Sequence, residues 1–334
     1  MCISILLAAH NPQIGRISGP LKPEFTINTI GVSLIFLLSG LSLKVQELAS
    51  AAKDFKLNAA IQTFNLGAGP LLGLAFQPLF ALARVDARLA TGLLIVSCLP
   101  TTVNMCIVLS GAAGANLALA VFNAVVSNFL GVFIAPATIF ACVGATSINV
   151  PYLQVIKKLV YKVVFPVFLG ITLRAKIPAL KKRLELPSSK LPLKLLTEGI
   201  LVSIIYTTFC QSFLEGLAVT GRDLIGVAVA VPTFHLLSLW LMFLVARAMT
   251  SKRDEQITAM FVGSQKTLAF GMPLIRTIFE TSPSMALYSA PLLFIHPSQL
   301  LIGSMITPFL RNYIEAVSWC SRTQTPSPSA PRGQ

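Results

Sequence analysis

Hydrophobic residues run through this chain in long blocks, and the charged residues between them are few and clustered. Blocks lie at 26–43, 57–82, 90–110, 115–140, 152–173, 197–213, 223–246, 257–279 and 284–310, with a shorter apolar piece, Met1 to Ala9, ahead of them. At 1.5 Å of rise per residue, each block is about long enough to cross a hydrocarbon layer of roughly 30 Å as a helix. The pattern predicts an all-α integral membrane protein. Glycine and proline recur inside the blocks, which a membrane tolerates where neighbouring helices re-satisfy the backbone. Segment 44–56 is amphipathic and is expected to lie along the interface.

The pattern also repeats. Val32-Ser33-Leu34-Ile35-Phe36 returns as Val202-Ser203-Ile204-Ile205-Tyr206, and Thr63-Phe64-Asn65 returns as Thr233-Phe234-His235. Ser127-Asn128, with Pro136 beyond, returns as Ser298-Gln299 with Pro308. These matches are collinear at an offset near 170. They divide the chain into a first repeat over 1–145, a second over 146–312, and a Ser/Pro-rich tail over 313–334 that is expected to be disordered. Span 152–173 then pairs with a first helix of which Met1 to Ala9 is only the end, so the rest of that helix is expected upstream of Met1. Five spans per repeat is an odd number, so the second repeat must insert upside down. The expected architecture is inverted five-plus-five helix repeats with two crossed discontinuous helices.

Composition sharpens this reading. Hydrophobic residues make up 54% of the chain and charged residues 11%, too little charge to cover a soluble surface of this size. The net charge of +14 lies in the loops, which points to topology and lipid headgroups rather than nucleic acid. Loops 44–56, 174–196 and 247–256 and the tail carry about twice the Lys and Arg of the opposite loops, which places that side and the C-terminus in the cytoplasm. Every acid falls in a loop or at a span edge. The six cysteines show no metal-ligand spacing, and no cofactor or metal is expected. Neither paired carboxylates nor an HExxH or GxSxG motif is present, so no enzyme is expected.

One residue breaks the apolar pattern. Lys266 sits inside the block 257–279, far from any acid and too deep to reach the headgroups. An ammonium in mid-membrane costs roughly 2.5–3.5 kcal/mol even on insertion scales, so it is expected to face a polar cavity and a partner. Two blocks carry helix-breaking sequence at matching depth: Pro100, Thr101, Thr102 and Asn104 in 90–110, and Ser264, Gln265, Lys266 and Thr267 in 257–279. Paired interruptions are the sequence pointer to a transporter site, and half-helix N-termini there favour an anionic ligand. The next span of each repeat adds Asn123 with Ser127, and His296 with Gln299, each pair on one helix face. His235 and Asn65 stand at repeat-equivalent positions. Structural capping by Lys266 and polar helix glue are the competing readings.

Five stretches carry a family resemblance: Gly19-Pro-Leu-Lys-Pro-Glu24, Leu38-Ser-Gly-Leu-Ser-Leu-Lys44, Ile205-Tyr-Thr-Thr-Phe-Cys210, Gln265-Lys-Thr-Leu268 and His296-Pro-Ser-Gln-Leu-Leu-Ile-Gly-Ser304. Together they resemble the bile acid:sodium symporter superfamily, specifically its orphan branch. The resemblance implies ten spans, a panel domain, a core domain and crossed broken helices. It implies two bound sodium ions in the true symporters, with a glutamate among the key ligands; Phe261 stands at the glutamate position here, and the family's Ser-Asn pair after the first proline aligns with Met105-Cys106. A carrier of an unidentified anionic solute, not using the family's sodium sites, is therefore the leading expectation. The alternatives are a sodium-coupled organic anion symporter, or a regulator of calcium homeostasis and secretory-pathway glycosaminoglycan synthesis with protein partners in calcium entry. By resemblance the membranes are those of the cell surface, Golgi or endoplasmic reticulum.

Overall fold

A computed structural model describes residues 2–16, 18–42, 54–144, 157–158, 160–215, 219–279, 282 and 284–323, and every regular element among them is helical. The main helices are α1 (Cys2–His10), α2 (Val32–Ser42), α3 (Phe55–Leu82), α4 (Ala87–Ser97), α5 (Val103–Ala112), α6 (Leu117–Gly144), α7 (Phe165–Lys176), α8 (Pro187–Glu215), α9 (Gly221–Met249), α10 (Arg253–Ser264), α11 (Leu268–Ile278) and α12 (Met285–Thr323). Four of them, α3, α6, α9 and α12, are long and apolar enough to cross a membrane by length and composition. The remaining spans are assembled from shorter apolar pieces. The chain is an integral membrane protein.

Where helix and span differ, the difference is physical. Much of the expected loop 174–196 is helical, because Pro178–Glu185 forms a short helix and α8 begins at Pro187. Hydropathy locates the buried part of a helix and is silent about a charged extension that stands in water. Likewise α12 runs on to Thr323, past the point where the tail was expected to begin. The interfacial segment expected at 44–56 lies outside the described residues up to residue 53, and the start of span 152–173 does so as well.

The helices pack in two groups. α3, the pair α4–α5, α6, α9, the pair α10–α11 and α12 enclose one another; α1, α2, α7 and α8 form the second group. Within the latter, α2 and α7 cross at two glycines. A Cβ on Gly40 would lie 2.2 Å from the Val167 carbonyl oxygen, and one on Gly170 would lie 2.4 Å from that of Leu37, so only bare backbone permits the approach. The groups meet chiefly where α8 packs on α11 and α12, and where α2 touches α11. At that seam the buried Arg276 donates from Nη1 to Thr208 Oγ1 at 2.9 Å.

Both expected interruptions are present. α4 stops at Ser97 and the chain resumes as α5 at Val103; α10 stops at Ser264 and resumes as α11 at Leu268. Thr102, Gln265 and Thr267 all hold extended backbone angles. Pro100 accounts for the first break, since it has no N–H and disfavours helix at the residue before it. The second break holds no proline; Pro273 lies inside α11.

Candidate functional site

The two breaks lie against each other. Thr267 donates its backbone N–H to the Pro100 carbonyl at 3.0 Å, and Thr102 Oγ1 donates to the Lys266 carbonyl at 2.8 Å. Following helices hold each break from behind. Ser127 Oγ accepts from the Thr101 N–H at 3.2 Å, and Asn128 Nδ2 donates to the Thr101 carbonyl at 2.9 Å. In the amide orientation that satisfies both its ends, Gln299 accepts from the Lys266 N–H at 2.8 Å and donates to the Lys266 carbonyl and to Gln265 Oε1, each at 3.1 Å. Asn128 and Gln299, matched by the sequence repeat, thus serve matching breaks.

Lys266 reaches from its break into α3. Its Nζ donates to the Asn65 carbonyl at 2.8 Å, to the Leu99 carbonyl at 2.9 Å and to Asn65 Oδ1 at 3.2 Å. The residue is 1% exposed. An ammonium has three protons, and all three are taken by neutral oxygens. Its charge also faces the carbonyl end of α4, where the helix dipole presents partial negative charge.

Local sequence explains why those oxygens are free. α3 widens to a π turn over Phe64–Ala68, in which the Gly69 N–H bonds to the Phe64 carbonyl. That register assigns the Asn65 carbonyl to the N–H of residue 70, which is Pro70 and has none. Asn65 Nδ2 meanwhile donates to the carbonyls of Val262, Gly263 and Gln265, at 3.1, 3.2 and 3.4 Å, closing the open end of α10. Gly69 makes room for the ammonium: a Cβ there would stand 3.1 Å from Lys266 Nζ and 2.9 Å from the Ser97 carbonyl oxygen.

The sequence candidates therefore divide. Lys266, Gln265, Thr267, Pro100, Thr101, Thr102, Ser127 and Gln299 meet at the crossing. Ser264 lies at its edge, with its hydroxyl turned back to the Met260 and Phe261 carbonyls at 2.7 and 3.3 Å. Asn123 lies away from it, bonded to Asn58 and Gln62. Asn104 is exposed on the first turn of α5, His296 is partly buried on α12, and the buried His235 stands beside the Ser264 backbone. The residue that the sequence most undervalued is Asn65; its signal was the spacing to Pro70. Among the described residues no three His, Cys, Asp or Glu side chains are grouped to hold a metal.

A family model, that of the SBF-like CPA transporter family, matches residues 1–312. The chain belongs to that family. Two similar proteins are each named sodium/bile acid cotransporter 7. The one from Rattus norvegicus is 32% identical over 93% of this chain and 91% of its own length; that from Danio rerio is 33% identical over 96% and 94%. An uncharacterised protein of Pseudomonas aeruginosa is 30% identical over 91% of this chain and 89% of its own. Membership makes this a multi-pass membrane transporter of the sodium/bile acid cotransporter type.

Proposed function

We propose that the chain is a secondary carrier of a small organic anion in which the Lys266 ammonium is a permanent, tethered cation standing where a sodium-coupled relative would bind a free one. One observation carries the reading: three oxygens, two from α3 and one from the break after α4, converge on Lys266 Nζ at 2.8–3.2 Å. That donor set, carbonyl and amide oxygen without a carboxylate, is the kind a hard monovalent cation takes. Supporting it, the position where the family's glutamate is expected holds Phe261, which is fully buried and apolar.

Because its three protons are already committed, Lys266 acts on the solute through charge and through the shape of the crossing rather than by direct contact. α5 and α11 both start at the crossing, and neither Thr102 nor Thr267 caps its helix with its side chain. Their leading N–H groups and the buried ammonium together make the site positive, which selects an anion. The matched roles of Asn128 and Gln299 support two inverted halves over 1–145 and 146–312, and the excess of Lys and Arg in the 174–196 segment supports placing it and the C-terminus in the cytoplasm.

The test is thermal stability of the purified protein in sodium chloride against choline chloride, followed by a shift screen of organic anions that includes taurocholate. Wild type is expected to melt at the same temperature in both salts, and an anion that stabilises it is expected to lose its effect in Lys266→Ala. A sodium-dependent rise in the wild-type melting temperature would overturn the tethered cation.

A further inference from the structure

α3 sets Asn58, Gln62 and Asn65 on one face, and α6 lays Asn123 against them. Asn123 Nδ2 donates to Asn58 Oδ1 at 2.7 Å; Gln62 Nε2 donates to the Asn123 carbonyl at 2.9 Å and to Asn123 Oδ1 at 3.1 Å. Asn65 continues the line to Lys266. All four side chains are more than nine-tenths buried, with Gln62 the most exposed at 9%. Gln62 Oε1 is buried with no hydrogen-bond partner among the described residues.

The ladder is one-sided. From Phe55 to Asn65 it rises roughly 15 Å, about half the hydrocarbon thickness. Beyond Asn65 the same face of α3 carries Gly69, Gly73, Phe76 and Phe80, and the two phenylalanines belong to the apolar core. The next amide on that side, Gln77, is tied to the Ala90 carbonyl at 2.9 Å about three turns away, so the linked amides run from the Asp54 end to Lys266 and stop there.

Helix glue is the competing explanation. The repeat offset puts Ala228 and Pro232 where the first half has Asn58 and Gln62, and Phe294 where it has Asn123. Ala228 and Phe294 are exposed, so the buried amide line belongs to the first half alone. A buried acceptor left without a donor destabilises by about 1–3 kcal/mol, the wrong sign for glue.

We propose that Asn58, Gln62 and Asn123 line a one-sided hydrated inlet that admits water and small cations from the membrane surface at Asp54 as far as Lys266. Gln62 Oε1 is the open acceptor along it. Neither α3 beyond Lys56 nor α6 carries an acid, so a cation entering the inlet is solvated by amides and halted by the ammonium at its inner end. The proposal rests on Lys266 being the site's fixed cation.

The test is one-sided thiol modification of single-cysteine variants in sealed, oriented vesicles, with the cationic reagent 2-aminoethyl methanethiosulfonate. Gln62→Cys is expected to react from the Asp54 side about tenfold or more faster than from the other, since the nucleophile that attacks the reagent's sulfur and expels methanesulfinate is a hydrated thiolate. Val231→Cys, at a fully buried position of α9, is expected to react from neither side. Asn58→Leu in the Gln62→Cys background is expected to slow the reaction by a similar factor. All variants are compared after size-exclusion chromatography has shown them folded. A Gln62→Cys that is inert from both sides, or equally reactive from both, overturns the inlet. No solute and no sodium gradient enter this measurement, so its failure is separable from a failure of the carrier reading.

Discussion

The Thr267 N–H and the Pro100 carbonyl meet at 3.0 Å, so each broken helix supplies a hydrogen bond that the other has lost. In a bilayer no water replaces such a bond, and an unmade one costs several kcal/mol. Each interruption is therefore stable only while the other is in place. Changes made at one break should register at both.

Among the described residues Lys266 Nζ is the donor to three buried oxygens, and Lys266→Ala removes it. Function should be lost, with a stability loss on the order of 1–3 kcal/mol for each acceptor left bare. The vacated oxygens should then recruit a cation, so sodium should raise the melting temperature of Lys266→Ala and leave wild type unchanged. Lys266→Arg should restore little, because a planar guanidinium does not place three protons on a compact oxygen triangle. Melting curves in sodium and in choline distinguish these outcomes.

Asn65→Leu should be more damaging than its single position suggests. It deletes the amide that closes the end of α10 and one of the three acceptors of Lys266. Asn65→Asp preserves the acceptor and adds a charge partner for the ammonium, but it sets an acceptor oxygen against the Val262, Gly263 and Gln265 carbonyls. Folded yield should fall sharply for the leucine variant and recover only in part in the aspartate variant, as read by size-exclusion chromatography in detergent.

Gln299→Leu should spare expression yet reduce transport, since it frees the Lys266 backbone without opening a large cavity. The same effect is expected from Asn128→Leu at the other break. Flux that is unchanged in both variants would show that the breaks need no support from α6 and α12.

Arg276 and Thr208 join the two helix groups. In a double-mutant cycle of Thr208→Val and Arg276→Leu, the coupling energy should be on the order of 1 kcal/mol or more. Thermal melting of the four proteins measures it, and additive losses would dismiss the contact as incidental.

At the membrane surface, the Arg88 guanidinium bonds to Asp86 and holds its carboxyl below the ordinary value of 3.8, while Asp223 Oδ1 accepts the Asp86 N–H at 2.8 Å. A depressed acid stabilises the fold above its ordinary value and loses that contribution as pH falls below it. Asp86→Asn should therefore flatten the acid limb of the stability profile and change nothing at neutral pH beyond the lost ion pair. Melting temperature against pH for the two proteins gives the comparison.

Much of this arrangement was legible in the sequence. Hydropathy located the spans, and the unpaired Lys266 marked the site because a buried charge is too costly to be incidental. The offset near 170 led to Gln299, whose partner Asn128 plays the equivalent part. The second break was less legible, since Gln265–Thr267 contains no proline and is held open by groups from α3 and α12 together with Pro100 and Thr102. Asn123 shows the limit of same-face spacing. It shares a face with Ser127, but a turn of helix sets it among Asn58 and Gln62 instead. The role of Asn65 depended on a π turn, and helical periodicity carries no sign of one.

Lys266 is covalently part of the protein, so its charge moves wherever the crossing moves. A full passage of one elementary charge through the membrane field is worth about 2.3 kcal/mol per 100 mV. A carrier that collects its cation from solution delivers that charge to the far side. Here the charge must come back with the protein, so over a complete cycle it transfers no current. The resting voltage then acts on the crossing as it does on a gating charge, setting which face of the membrane the empty site prefers.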